Sequence, residues 1–146
     1  MQVFEVRQAM DLYGPRRAVR DVGATLGFSR NDCQELAIVV SELTSNILKY
    51  GICGSVELSA LDGDQGGKGI RVTARDVGPP FHDFELALRD GYNDRGPIDP
   101  ATLLRRGGLG TGLGAVQRLT DRLEVSYVKG GKAIEVIRYL KRPRRR

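Results

Sequence analysis

At 146 residues the chain suits one domain, large enough to fold without a disulfide framework or a metal staple. With 28% charged and 40% hydrophobic residues it is globular, and no apolar run approaches the ~20 residues of a membrane-spanning helix. The net charge of +5 resides in Lys141, Arg142, Arg144, Arg145 and Arg146, so residues 1–140 are neutral and the pI does not argue for nucleic acid.

Alternation in residues 2–7 predicts a short strand. Pro15 suits the first turn of a helix and Gly27 its end, which predicts a helix over 15–26. Ser29 is a candidate N-cap for a second helix, with Asp32 three residues on in place of the usual Glu. That helix runs to Tyr50, with Gly51 at the C-terminal cap position. Strands follow at 55–61 and 69–76, joined by a turn of Gly, Asp and Gln, and residues 84–90 suit a short helix. Residues 91–112 are glycine-rich, carry Pro97 and Pro100, and read as a long mobile loop of the kind that usually serves function. A short helix over 112–121 and strands at 122–129 and 132–140, joined through Gly130, Gly131 and Lys132, complete the pattern. The expected class is α+β: a two-layer sandwich whose mostly antiparallel, mixed sheet is covered on one face by helices. Residues 1–140 form the domain and 141–146 a basic C-terminal tail.

Three segments carry chemistry. On the long helix Leu36, Val40, Leu43 and Ile47 form a core stripe, while Glu42, Asn46 and Lys49 form a polar stripe roughly 110–120° away. Ile38 and Val39 flank that polar stripe, so its carboxylate and amide need a partner or a ligand; an ordinary ion-paired solvated face is the plain alternative. Asp76-Val77-Gly78-Pro79-Pro80-Phe81 puts a carboxylate at a strand end beside a glycine, which suits an exocyclic amine and equally a common turn. Gly107 to Gly114 alternates glycines into a helix start, so free N–H groups and the positive helix end can face an anion. The two cysteines, Cys33 and Cys53, and the single His82 make no metal-ligand spacing, and no signal-peptide pattern opens the chain. A reduced, cytoplasmic protein follows.

In order and spacing, Glu42-x-x-x-Asn46-x-x-Lys49-Tyr50, Asp76-x-Gly78-Pro79 and Gly110-Thr111-Gly112-Leu113-Gly114 resemble the N, G1 and G2 boxes of the GHKL ATPase/kinase superfamily. The resemblance covers residues 1–140. Ser41-Glu42-Leu43, Leu88-Arg89-Asp90-Gly91-Tyr92, Arg118-Leu119 and Asp121 add similarity to the anti-sigma-factor serine/threonine kinases, the RsbT-type switch kinases. The resemblance implies the GHKL (Bergerat) ATP-binding fold and a protein kinase using ATP and Mg²⁺. Its implied acceptor is a Ser or Thr of a STAS-domain antagonist, with a serine phosphatase or a sigma factor as further partners and a homodimer left open.

By the same resemblance Glu42 is the general base and Asn46 the Mg²⁺ ligand, Lys49 neutralises phosphate, and Asp76 receives the adenine amino group beside Gly78. Gly108, Gly110, Thr111, Gly112, Leu113 and Gly114 line the phosphates. Where relatives carry glycine after Asp-x-Gly-Pro this chain has Pro80, which removes an N–H and a permissive residue and implies micromolar or weaker nucleotide affinity. The other reading is an anti-sigma factor that sequesters a regulator without catalysis.

Overall fold

Ser29 opens the longest helix: its Oγ accepts the Asp32 N–H at 3.1 Å, capping α2 (Arg30–Tyr50). Asp32 does not close the reciprocal half of a capping box, because its carboxylate is drawn to Arg138 instead, 2.9 Å away. The computed structural model describes residues 1–50, 52–63, 67–81, 84–88, 92–93, 96–97 and 112–141. The expected cap at Gly51 and the residues 142–146 of the tail lie outside them.

Before α2 come β1 (Gln2–Val6), a 3-10 turn (Ala9–Leu12) and α1 (Tyr13–Leu26). Gly27 ends α1 at φ +100°, with Phe28 N–H reaching back to the carbonyl of Gly23 at 2.9 Å. After α2 come β2 (Gly54–Asp62), β3 (Lys68–Asp76), α3 (Phe84–Ala87), the two-residue strands β4 (Tyr92–Asn93) and β5 (Gly96–Pro97), α4 (Leu113–Arg118), β6 (Arg122–Val128) and β7 (Gly131–Tyr139). The predicted elements are all present. Within the segment read as a loop, β4 and β5 pair with each other; most of the rest lies outside the described residues.

The main sheet has the order β1-β2-β3-β7-β6, and every pairing in it is antiparallel. The expected mixture is thus corrected to one sense: β7 enters between β3 and β6 and runs antiparallel to both. Register aligns Phe4, Val56, Ala74, Ile134 and Val125 in one row, and Leu58, Val72, Val136 and Leu123 in the next. These rows face the helices. Against them pack Leu36, Val40, Leu43 and Ile47 of α2, the predicted stripe, each no more than 1% exposed. Alternate residues such as Glu57, Arg75, Glu124 and Glu135 lie on the other face, where Arg75 and Glu57 pair at 3.3 Å. One covered and one solvated face give the two-layer α+β sandwich.

No helix among the described residues is long and apolar enough to cross a membrane.

Candidate functional site

The third row of the register, Val6, Gly54, Asp76, Lys132 and Tyr127, runs across all five strands at the helix-facing end of the sheet. Its centre is Asp76, the last residue of β3. The strands flanking it approach so closely that both carry glycine there. A Cβ on Gly54 would fall 1.8 Å from the Arg75 carbonyl oxygen, and one on Gly131 would fall 2.0 Å from that of Asp76. No side chain fits at either place.

Asp76 is 8% exposed. Its Oδ1 accepts the Gly78 N–H at 2.9 Å, so the Asp-x-Gly turn predicted from sequence folds back onto its own carboxylate. The same Oδ1 accepts from Lys132 Nζ at 3.1 Å, and that ammonium also donates to the Pro79 carbonyl at 2.8 Å. The pair is buried, with the side chains 1% and 4% exposed for Lys132 and Asp76. Phe81 closes over it, its ring centre 5.0 Å from Nζ, and tilts against Phe84 at 5.2 Å. Pro80, the departure from the expected motif, stands exposed beyond these contacts.

The polar stripe of α2 lies where its spacing placed it. Glu42 is buried at 7%, Asn46 is half-buried one turn later, and Lys49 is exposed. The neighbouring buried hydroxyls of Ser41 and Thr44 are satisfied inside the helix, on the carbonyls of Ala37 and Val40. α2 packs on α4, which opens at Gly112 with φ +73° and buries Leu113, Gly114, Ala115 and Val116 in its first residues. The glycine-rich start and the Glu42–Asn46 helix are therefore neighbours. Gly108, Gly110 and Thr111 of the proposed phosphate loop lie outside the described residues, as do His82, Arg89, Asp90 and Gly91.

The arrangement fits a nucleotide in its parts: a buried carboxylate in a glycine-walled notch, and a glycine-opened helix start against a helix bearing a carboxylate and an amide. Among the described residues no three His, Cys, Asp or Glu gather to hold a metal. Asn46 could offer one oxygen to a Mg²⁺ whose other ligands come from phosphates and water, a donor set such an ion accepts.

Sequence reading passed over two residues. The sequence pattern puts Lys132 at the end of a turn and Arg138 within a strand and gives neither a role. Both stand in phase with Ile134 and Val136, so the two-residue period of β7 assigned all four to the helix-facing side. A charge in an inward phase was the available signal. Arg138, 3% exposed, donates to Glu35 at 3.0 Å, Asp32 at 2.9 Å and the Leu119 carbonyl at 2.9 Å, tying the start of α2 to the far end of β7.

Comparison with known proteins agrees with this geometry. Residues 5–138 match the model of the family described as histidine kinase-like ATPase domain. The chain is 32% identical over 132 residues to the serine/threonine-protein kinase RsbT of Bacillus subtilis (strain 168), covering 90% of each protein. It is 30% identical over 135 residues to the serine-protein kinase RsbW of Staphylococcus epidermidis, covering 87% of this chain and 78% of that one. Among solved structures, the SiaB–SiaC complex from Pseudomonas aeruginosa aligns with a TM-score of 0.59 at 16% identity, over 94% of this chain and 89% of that one. The RsbU and RsbW domains of Rv1364c from Mycobacterium tuberculosis align with the same TM-score of 0.59 and 16% identity, over 99% of this chain and 34% of that one. The two structures share the fold, the two kinases share the sequence as well, and the chain belongs to the histidine kinase-like ATPase domain family.

Proposed function

We propose that the protein is a serine/threonine protein kinase of the partner-switching class, transferring the γ-phosphoryl of ATP to a Ser or Thr of a STAS-domain antagonist. The observation that carries this is the pairing of buried Glu42 with Asn46 one turn away, on a helix packed against the glycine-opened α4. A carboxylate held there can take the proton of an incoming hydroxyl, and Asn46 can hold Mg²⁺ on the phosphates. Lys49, Gly112, Leu113 and Gly114, with Gly108, Gly110 and Thr111, would neutralise or hydrogen-bond phosphate oxygens. ATP supplies the transferable phosphoryl group; the residues named here bind, orient and accept the proton.

A protein acceptor is favoured by the surface beside this helix. Arg16, Arg20 and Arg30 with Gln34, Ala37 and Ile38 line an open groove of ≈ 520 Å³, and Ile38 stands one turn before Glu42. Arg16, Arg20 and Arg30 give that groove a positive lining, which suits an acidic partner face. Cys33 and Cys53 are both free thiols, which supports a reducing compartment, the cytoplasm.

The test is transfer of labelled γ-phosphate from Mg-ATP to a purified STAS-domain partner. Transfer to a Ser or Thr supports the kinase. Tight partner binding with no transfer at any Mg-ATP concentration would leave only a sequestering anti-sigma factor.

A further inference from the structure

Three successive residues of β7 grip the exit of α4. The Ile137 carbonyl accepts the Asp121 N–H at 2.8 Å, and the Tyr139 N–H donates to Asp121 Oδ2 at 2.8 Å. Between them Arg138 Nη1 donates to the carbonyl of Leu119, the C-cap of α4, at 2.9 Å. The same guanidinium donates to Glu35 Oε2 at 3.0 Å and Asp32 Oδ1 at 2.9 Å, both in the first two turns of α2. Arg138 is 3% exposed, so one buried side chain bridges the helix that bears Glu42 and Asn46 to the helix that opens at Gly112.

From this bridge we infer that Arg138 is a positioning residue for phosphoryl transfer, setting where the start of α4 stands relative to Glu42 and Asn46. The inference rests on the kinase reading above. α4 is six residues long, roughly 9 Å, so a tilt at its exit reaches Gly112, Leu113 and Gly114 at its entrance almost undiminished. α2 has 21 residues and is seated by Leu36, Val40, Leu43 and Ile47, whereas among the residues of α4 only Leu113 and Val116 bring large apolar side chains to the core. Loss of the bridge therefore shifts α4 and leaves α2 in place. Transfer requires the reacting atoms at about 3–3.5 Å, and an ångström of misplacement can lower its rate about 10²-fold. Arginine suits the task because its planar fork meets several acceptors in fixed directions, while a lysine ammonium meets them from one point on a flexible stem.

The experiment measures single-turnover transfer of labelled γ-phosphate from Mg-ATP to a purified STAS-domain partner by the full chain, Arg138→Met and Arg138→Lys. Each rate is normalised to the sites titrated with Mg-ADP. Arg138→Met is expected to lower the maximal rate per site about 10²-fold and to leave the half-saturating partner concentration within about threefold. Arg138→Lys keeps the charge for the two carboxylates and should recover to within about tenfold of the parent. A merely structural arginine would on removal reduce the number of folded sites and leave the rate at each one unchanged. A rate per site within about threefold of the parent in Arg138→Met, or no recovery in Arg138→Lys, overturns the inference while the kinase reading stands. Should Arg138→Met fail to fold in a thermal melt, Asp32→Asn with Glu35→Gln decides in its place. Those two carboxylates are 34% exposed, and neutralising them slackens the bridge with every acceptor kept. Transfer about tenfold slower per site supports the inference, and unchanged transfer overturns it. A parent that transfers no phosphate is a failure of the kinase reading itself, and this inference falls with it.

Discussion

Glu42 and Asn46 occupy the same helical face at different depths, and the difference suits the two tasks proposed for them. A carboxylate 7% exposed is shielded enough to act on a proton, while a half-buried amide can still meet a hydrated ion. Glu42→Gln is expected to keep nucleotide affinity and lower phosphoryl transfer by about 10²–10⁴-fold, read from single-turnover transfer to the partner. Full transfer by that variant would remove Glu42 from the chemistry. Asn46→Ala should lose the Mg²⁺-dependent part of nucleotide binding with its melting temperature unchanged, as titrations with and without Mg²⁺ would report. The two cysteines offer a check on burial. Desolvation, with the Asp32 charge adding to it, pushes the Cys33 thiol up from its ordinary value. Less thiolate is then present at neutral pH, so iodoacetamide should label half-buried Cys53 well before Cys33 in the native protein. Equal labelling rates by mass spectrometry would contradict the packing of Cys33 between α1 and α2.

At the scale of elements, helices and strands were readable because their signals are local. Leu36, Val40, Leu43 and Ile47 repeat at helical spacing, and Gly27 and Ser29 punctuate the helices they bound. The Asp76–Lys132 pair was harder to read because its partners are 56 residues apart and meet only through strand register. A shift of one residue at the β6–β7 turn would have turned Lys132 to the opposite face. The structure starts β7 at Gly131, so the turn is Lys129 and Gly130 alone. Gly131 then becomes the residue that sets the notch. Gly131→Ala places a methyl 2.0 Å from the Asp76 carbonyl oxygen, and only movement of two strand backbones relieves it. That substitution is expected to destabilise the fold by about 1–3 kcal/mol in denaturant titration and to weaken nucleotide binding in the same protein. Gly130→Ala, with open space about it but a φ of +83°, should cost less stability and leave binding intact.

Over the whole molecule, charge is less even than the neutral sum of residues 1–140 suggests. Arg16, Arg17 and Arg20 on α1 and Arg30 at the start of α2 gather along adjoining grooves of ≈ 520 and ≈ 550 Å³. A partner steered there should associate more slowly as salt rises, since exposed charges are screened over about 8–10 Å at physiological ionic strength. Arg16→Glu with Arg20→Glu is expected to reduce the association rate about tenfold or more and flatten its salt dependence, with nucleotide affinity unchanged. Stopped-flow binding at two salt concentrations would measure it. An unchanged rate would place the partner elsewhere.

The position of β7 bears on how the molecule comes into being. It is the latest described strand along the chain, yet it lies inside the sheet between β3 and β6. A nascent polypeptide that has completed β3 leaves that strand's edge open while everything up to β6 is translated, an exposure that invites wrong pairing or a chaperone. β6 has no place to dock until residues 131–139 follow it out of the ribosome. Arg138 then reaches back across 106 residues to Asp32 and 103 to Glu35, contacts of the long range that slows folding. The Asp76–Lys132 pair therefore forms only once residues 131–139 have been made, and a chain stalled before β7 would lack it.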